Sequence, residues 1–144
     1  MDKSLPDKWV RKAIFDAINN ITVDGVVIPC YDTRVPNNEN PPHYVLMTTQ
    51  TNNTSKLTKC EDSYESSILL DIITSYNSIG NTGSRLLADN ICDAVRNLTK
   101  NLVLDVSSGL KIIRQTQDFP NDLNIITDVE SVYRKFIRIE MFIN

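Results

Sequence analysis

The stretch "SYESSILLDIITSY", residues 63–76, decides the fold class because it has the pattern of one long β-strand with apolar residues on both faces. Side chains alternate across a strand, so Ile68, Leu70 and Ile72 share one face. Leu69 and Ile73 lie on the other face. Strands that are apolar on both faces are usually covered on both sides. We therefore expect the middle of this strand to be covered twice, by helices or by a neighbouring subunit.

Two amphipathic helices flank this strand in the sequence. The first begins near Ser4, a residue suited to the N-cap, with Pro6 in its first turn, and ends at Asn19 and Asn20. The second is predicted from Arg85 to Thr99, with Ser84 as its cap. Each helix carries apolar residues at the three- and four-residue spacing of one buried stripe. In the first helix they are Trp9, Val10, Ala13, Ile14, Ala17 and Ile18; in the second they are Leu87, Ile91, Ala94 or Val95, and Leu98.

Shorter β-prone runs complete the predicted sheet. The predicted strands are Val26–Tyr31, His43–Thr49, Leu110–Gln117 and Val132–Ile143, and Leu102–Val106 is either a short strand or a loop. Pro29 lies inside the first of these and makes it an edge strand or a bent one. The intervening polar segments, 32–42, 52–62, 77–83 and 118–124, are predicted loops and turns. The order α-β-β-β-α-β-β indicates an α+β fold: residues 1–144 form one domain, an antiparallel sheet of about five strands with two helices packed on one face.

Composition and charge narrow the function classes. Apolar residues make up 41% of the 144, charged residues 23%, and the net charge is −3. The pI of about 5.1 is far below the value above ~9 typical of nucleic-acid-binding domains. No apolar signal region follows Met1, and no apolar run approaches the ~20 residues that cross a bilayer. We expect an intracellular protein, or one assembled inside a cell, with other proteins as partners and no membrane association.

The residues that could carry chemistry are sparse. Cys30, Cys60 and Cys92 are widely spaced, and the single His43 does not complete a usual zinc site with them, so we expect reduced thiols. His43 has no nucleophile and orienting carboxylate near it in the sequence. The segment Gly80–Gly83 has the G-x-x-G spacing of single-strand RNA-binding KH modules, although its intervening residues are not basic and a turn explains it better. We therefore predict no catalytic residue, no cofactor and no metal.

Charged residues gather in three places. Acidic residues cluster at Glu61, Asp62, Glu65 and Asp71, where we expect a solvated loop end or an acidic surface along a DNA passage. Basic residues gather at Lys8, Arg11 and Lys12, and again at Arg134, Lys135 and Arg138. Each basic group is either a solvated face or, in an assembly, a partner for acidic residues of a neighbour.

Several local segments, in their order, resemble the tail terminator (tail-completion) proteins of long-tailed bacteriophages. The segments are "KWVRKAIFDAIN" (8–19), "VIPCYD" (27–32), "RVP" (34–36), "PPHYVLM" (41–47), "SSILLDIITSY" (66–76) and "GSRLLADNICDAVRNL" (83–98). The resemblance covers nearly the whole chain. It implies a structural protein without enzymatic activity or cofactor, located in the tail or neck of a virion and assembled in the host cytoplasm.

The same resemblance implies partners. The subunit would form a ring with itself, typically a hexamer, that caps the tail tube protein, ends tail polymerisation and meets a head-side connector or stopper protein. DNA would pass through the lumen without specific binding. By topology, loop 52–62 would reach the lumen or a neighbour, and loop 34–42 would meet the tube or an adjacent subunit. The candidate interface residues are Arg34, Pro36, Asn38, Pro41, Pro42, His43, Asn53, Lys56, Lys59, Glu61, Asp62, Arg134, Lys135 and Arg138.

Two other readings of the sequence stay open. The first is a related head-tail connector or tail-adaptor ring protein. It has the same physical requirements as a tail terminator and differs from it in its position in the virion. A small α+β RNA-binding or regulatory domain belongs to another class, and the acidic pI counts against it. An enzyme is the least favoured reading.

Overall fold

The computed structural model describes residues 5–55, 63–77 and 84–144. They form two α-helices, eight β-strands and one 3₁₀ turn. In chain order the elements are α1 (Asp7–Ile18), β1 (Ile21–Val23), β2 (Val26–Ile28), β3 (Cys30–Asp32), β4 (His43–Ser55), β5 (Ser63–Asn77), α2 (Leu86–Leu98), the 3₁₀ turn (Val106–Ser108), β6 (Ile112–Asp118), β7 (Leu123–Ile126) and β8 (Glu130–Ile143). The predicted N-cap Ser4, Cys60 and the segment Gly80–Gly83 lie outside the described residues.

The strand predicted at residues 63–76 is the centre of the main sheet. β5 pairs antiparallel with β4 on one side and with β8 on the other. The strand order is β3-β4-β5-β8-β6, and β7 also pairs with β8, beyond the end of β6. Of the strands within residues 5–55, 63–77 and 84–144, only β3 runs parallel to its neighbour, β4. β1 and β2 form a separate hairpin.

Both helices contribute to one core on a single face of this sheet. α1 buries Val10, Ile14 and Ile18, and α2 buries Ala88, Ile91, Cys92 and Val95. All of these side chains except Ala88 join the even-numbered apolar residues of β5 and the odd-numbered ones of β8 in one cluster. Full burial of one isoleucine or leucine side chain, relative to leaving it exposed, stabilises the folded state by about 1.5–3 kcal/mol. The predicted α+β class is confirmed, although the number of strands exceeds five.

Between α1 and β4 the chain forms three short strands, where the sequence predicts one strand over Val26–Tyr31. The turn at Asp24-Gly25 has positive φ at both residues, 52° and 78°. This is the geometry of a two-residue hairpin turn, which returns the chain onto residues 21–23. Pro29 has no N–H and separates β2 from β3. The predicted strand is interrupted at Pro29, β3 lies at an edge of the main sheet as one of the two predicted alternatives requires, and the single strand is corrected to three.

β4 is longer than the predicted His43–Thr49. It continues to Ser55, and its polar second half pairs with the start of β5, where the Thr51 and Ser67 hydroxyls lie 2.6 Å apart. A bulge lies between Met47 and Gln50, where the Thr48 hydroxyl donates to the Leu69 carbonyl oxygen at 3.0 Å. Residues 52–55 of the predicted loop are therefore strand. Residues 56–62 lie outside the described part of the chain.

The C-terminal half also contains a strand that the sequence pattern did not indicate. β7 begins at Leu123, inside the predicted loop 118–124, and forms a hairpin with β8. Residues 102–105 are irregular, and Asp105 caps the following 3₁₀ turn by accepting a hydrogen bond from the Ser107 N–H at 2.9 Å. At the start of α2 the N-cap position is Arg85, whose side chain makes no capping bond, and the predicted cap Ser84 lies one residue earlier, where its hydroxyl accepts from the Leu86 N–H at 3.2 Å.

Candidate protein interface

The loop at residues 34–42, termed the proline loop, follows β3 and is attached to the sheet at both ends. At its start, the Thr33 N–H donates to the Met47 carbonyl at 2.9 Å. At its end, the Ser75 N–H donates to the Pro42 carbonyl at 2.9 Å. In the middle, a hydrogen bond to Glu39, with a smaller effect of burial, raises the pKa of Tyr31 to about 12. The proline loop is thus a surface loop whose two ends are held to the sheet by backbone hydrogen bonds.

The candidate residues in the proline loop lie at the surface. Arg34, Pro36, Asn38 and Pro42 are exposed, and Pro41 is partly exposed. The two consecutive prolines line an open groove of about 510 Å³ together with side chains from β4, β5 and the β7–β8 hairpin. The apolar residues of this groove include Pro41, Pro42, Tyr44, Ile73, Val129 and Val132. The fold therefore brings part of the proline loop next to hairpin residues 129–132, which are 87 or more positions away in sequence.

His43 begins β4 and lies against tyrosine rings. Its ring centroid is 5.2 Å from that of Tyr76, which in turn is 6.1 Å from that of Tyr133. Burial lowers the pKa of His43, and its Nδ1 atom is buried without a hydrogen-bond partner among the described residues. The surroundings of His43 favour the neutral imidazole within an aromatic cluster.

The face of the sheet opposite the helices, termed the open face, has an unusual centre. Asp71 is only 2% exposed there, although neither described helix covers it. The Arg134 guanidinium donates two hydrogen bonds to its carboxylate, from Nε at 3.3 Å and from Nη2. The same guanidinium lies 5.4 Å from the ring centroid of Phe136. The open face includes Tyr31, Tyr44, Leu46, Leu69, Asp71, Ile73, Arg134, Phe136, Arg138 and Phe142.

The expectation that β5 is covered on both faces is thus met only in part. The helices cover one face. On the open face Ile73 and Asp71 are buried, while Leu69 remains partly exposed. Whether a neighbouring subunit covers this face stays a prediction.

The three basic residues predicted as one group, Arg134, Lys135 and Arg138, lie on different faces of the sheet. Arg134 and Arg138 are on the open face, where Arg138 lies 3.8 Å from Asp118 in an exposed ion pair. Lys135 points to the helix side and reaches Asp89 and Asp122 at 3.0 and 3.1 Å. Burial lowers the pKa of Lys135, but its hydrogen bonds to these two carboxylates outweigh that effect and raise the pKa overall.

The far end of the open face carries the remaining described candidate. Asn53 is exposed and lies opposite Glu65. It lines an open groove of about 590 Å³, in which the Arg114 guanidinium lies 6.0 Å from the ring centroid of Phe142. The candidates Lys56, Lys59, Glu61 and Asp62 lie outside the described residues.

Among the described strands, β7 has the most exposed apolar side chains, and none of its residues is among the candidate interface residues. Leu123, Ile125, Ile126 and Val129, all in the β7–β8 hairpin, are 43%, 44%, 68% and 70% exposed. The available signal was the run "LNII" between Asp122 and Asp128, which is too short to distinguish from a loop by periodicity.

The described residues offer few reactive groups. Among them, no three His, Cys, Asp or Glu side chains gather as a metal site would require. Burial, with a smaller effect of Asp32, raises the pKa of Cys30 to about 12. Burial likewise raises the pKa of Cys92 to about 11. Neither described helix has the length and apolar content of a membrane-spanning helix.

Comparison with known proteins identifies a fold. No protein-family model matches the chain, and no curated protein matches it. A chain in the solved structure titled "Virion of native gene transfer agent (GTA) particle" superposes with a TM-score of 0.61. The match covers 94% of this chain and 96% of that one, at 14% sequence identity. Both chains therefore share one fold over almost their entire lengths.

Proposed function

We propose that this chain is a structural subunit of a phage-type virion, and that it forms a ring that caps the tail tube, ends tail polymerisation and joins the tail to the head connector. The observation that carries the proposal is the fold shared with a chain of a virion particle. Because the match spans nearly all of both chains, it concerns the complete architecture and not a common substructure. The resemblance of the sequence segments to tail terminators supplies the finer role.

The surfaces described above support a ring subunit. The sheet has an open face and two lateral edges, and unprotected edges favour pairing with another chain. A contact between two different surfaces of identical subunits closes into a ring when the rotation between neighbours allows it. The proposed ring contains six copies, as the tail terminator resemblance implies, and the proline loop meets the tube or an adjacent subunit.

We also propose that the chain is not an enzyme. The thiolate is the reactive form of cysteine, and the raised pKa values of Cys30 and Cys92 keep both thiols protonated at neutral pH. The buried carboxylate of Asp71 is held by Arg134. The two cysteines and the Asp71–Arg134 pair therefore contribute to the stability of the fold. A structural subunit requires no reactive group beyond these.

Tube polymerisation tests the proposed function. Tail-tube protein encoded by the same genome would be polymerised with and without this chain, and the tubes measured by negative-stain electron microscopy. We expect shorter tubes, each with a ring-shaped cap at one end. Tubes of unchanged length without bound protein would contradict the proposal. Binding to the isolated head connector, but not to tubes, would instead assign the chain to the connector ring.

A further inference from the structure

β7 is a free edge strand. β8 is its one strand partner among the described residues. The hairpin closes with a hydrogen bond from the Thr127 N–H to the Glu130 carbonyl at 2.8 Å. Hydrogen-bonded pairs alternate along an antiparallel ladder, so the backbone groups of Asn124 and Ile126 point away from β8. This outer side of β7 offers donors and acceptors to a further strand.

Nothing in β7 protects this edge. Soluble proteins usually guard an exposed edge with lysine, proline or a bulge. β7 has the sequence Leu-Asn-Ile-Ile, and Ile126 is 68% exposed. The hairpin turn beside β7 carries the exposed residues Asp128 and Glu130, whereas Asp122 before β7 is paired with Lys135 of β8 at 3.1 Å. The edge is therefore apolar in an acidic setting.

A second free edge lies on the opposite side of the same sheet. β3 pairs with β4 only at Val45–Met47. Beyond that point, residues 48–55 of β4 have no strand partner on their outer side among the described strands. These eight residues are all uncharged.

The second edge has a basic neighbour. The first turns of α1 lie beside it, because the Gln50 side chain donates to the Asp7 carbonyl at 3.0 Å and accepts from Arg11 at 2.6 Å. Lys8, in the same helix, is exposed, and its Nζ lies 5.3 Å from the Trp9 ring centroid. Asp7 lies in the same first turn and Arg11 is paired with Asp32 at 3.6 Å, so the complementary charge that this edge offers to the hairpin turn is that of the exposed Lys8.

We propose that β7 of one copy of this chain adds, antiparallel, to residues 48–55 of β4 in the next copy, with Asp128 and Glu130 of the hairpin turn facing Lys8 of α1. Strand directions alternate through β4, β5, β8 and β7, so a continued sheet keeps the alternation from copy to copy. Pairing of β7 with itself would bring acidic hairpins together, which costs free energy. This inference rests on the proposed ring and specifies its subunit contact.

Two complementary edge variants test the contact. Ile126→Lys places a charge on the β7 edge and leaves the β4 edge intact. The double variant Lys8→Glu/Thr54→Glu makes the β4 edge acidic at two exposed positions and leaves β7 intact. Val27→Lys is the matched control, because Val27 is an exposed β-strand valine, 57% exposed, on the separate β1–β2 hairpin. Val129→Lys is a second variant of the same hairpin, placed in the turn that follows β7, and circular dichroism checks that each variant is folded.

Particle mass is the readout, with tail tubes present if the ring assembles only on them. We expect wild type and Val27→Lys to form rings, and each edge variant alone to stay monomeric. An equimolar mixture of Ile126→Lys with Lys8→Glu/Thr54→Glu should form a heterodimer, since one intact edge of each kind remains. Three results would each overturn the inference while the proposed ring stands. They are rings formed by Ile126→Lys and Val129→Lys, dimers formed by the β4-edge variant alone, and a mixture that stays monomeric. A wild-type chain that remains monomeric even with tubes would overturn both.

Discussion

At the scale of single residues, the pair of Asp71 and Arg134 is the most consequential feature of the open face. A buried carboxylate is costly unless a partner compensates its charge. The arginine does so through two hydrogen bonds, and it lies over Phe136 at the same time. Because 31% of the Arg134 side chain remains exposed, the pair is accessible from the open face. The pair thereby makes a charged residue compatible with the centre of a sheet.

Removing the arginine should be strongly destabilising. Arg134→Leu leaves Asp71 buried without its partner, and we expect a loss of about 2–4 kcal/mol in the free energy of unfolding. Arg138→Leu is the matched control, because Arg138 is an arginine of the same strand and face whose ion pair is exposed, and its loss should be below about 1 kcal/mol. Urea denaturation measures both. Equal losses for the two variants would contradict the role given to the Asp71 pair.

The single histidine should make stability depend on pH. Burial lowers the pKa of His43, so between pH about 6.5, its ordinary value, and the lower folded-state pKa, the unfolded chain binds more protons. The contribution of this group is therefore present above pH about 6.5 and is lost as pH falls through the folded-state value. We expect the unfolding free energy of wild type to fall more between pH 7.5 and 5 than that of His43→Gln. Parallel pH profiles of the two proteins would refute this assignment.

The sequence places both residues in the right strands but does not predict their environments. Asp71 is predicted within an acidic group at a solvated loop end, whereas the structure buries it. The reason is non-local, since its partner Arg134 is 63 positions away. His43 is correctly predicted at the start of a strand. The tyrosines beside it come from β5 and β8, which no local pattern brings together.

At the scale of secondary-structure elements, the attachment of α2 to the sheet depends on two glutamines of β6. Gln115 donates to the Thr99 carbonyl at the end of α2 and accepts from the Leu102 N–H at 3.3 Å. Gln117 donates to the Arg96 carbonyl at 3.1 Å. The last carbonyl groups of a helix have no partner within the helix, so these side chains supply what the helix lacks.

Loss of the first glutamine should loosen this attachment. Gln115→Ala leaves the Thr99 carbonyl without its donor, and an unsatisfied buried acceptor costs about 1–3 kcal/mol. Thr116→Ala is the control, because the neighbouring threonine is exposed on the open face and its replacement should change stability by less than about 0.5 kcal/mol. Thermal unfolding of both variants gives the comparison. A Gln115→Ala protein as stable as Thr116→Ala would show that the contact is dispensable.

Elements with a long, regular pattern are the ones that the sequence predicts well. β5 is predicted at 63–76 and observed at Ser63–Asn77, and α2 differs from its prediction by one residue at each end. The second half of β4 is missed because it is polar, and its strand conformation comes from pairing with β5. β7 is missed because four residues carry no usable periodicity, and its partner β8 determines its conformation.

At the scale of the whole molecule, the α+β class follows from the order of the elements, but the order of the strands in the sheet does not. Sheet order depends on pairings between distant segments, such as β5 with β8. The same non-local pairing creates the two free edges and the open face. The candidate interface residues predicted in loops are therefore only part of the surface on which the ring proposal depends. The largest part that the structure adds to this surface is the β7–β8 hairpin.

The most direct test of the proposed ring is the mass of the purified chain, measured by analytical ultracentrifugation with and without tail tubes. With a chain mass of 16.3 kDa, a six-membered ring, the number that the tail terminator resemblance implies, has a mass of about 98 kDa. We predict a discrete species of that mass, either free or released from tubes by gentle dissociation. A chain that stays at 16.3 kDa at every concentration, and that neither binds tubes nor forms a ring on them, would contradict the account.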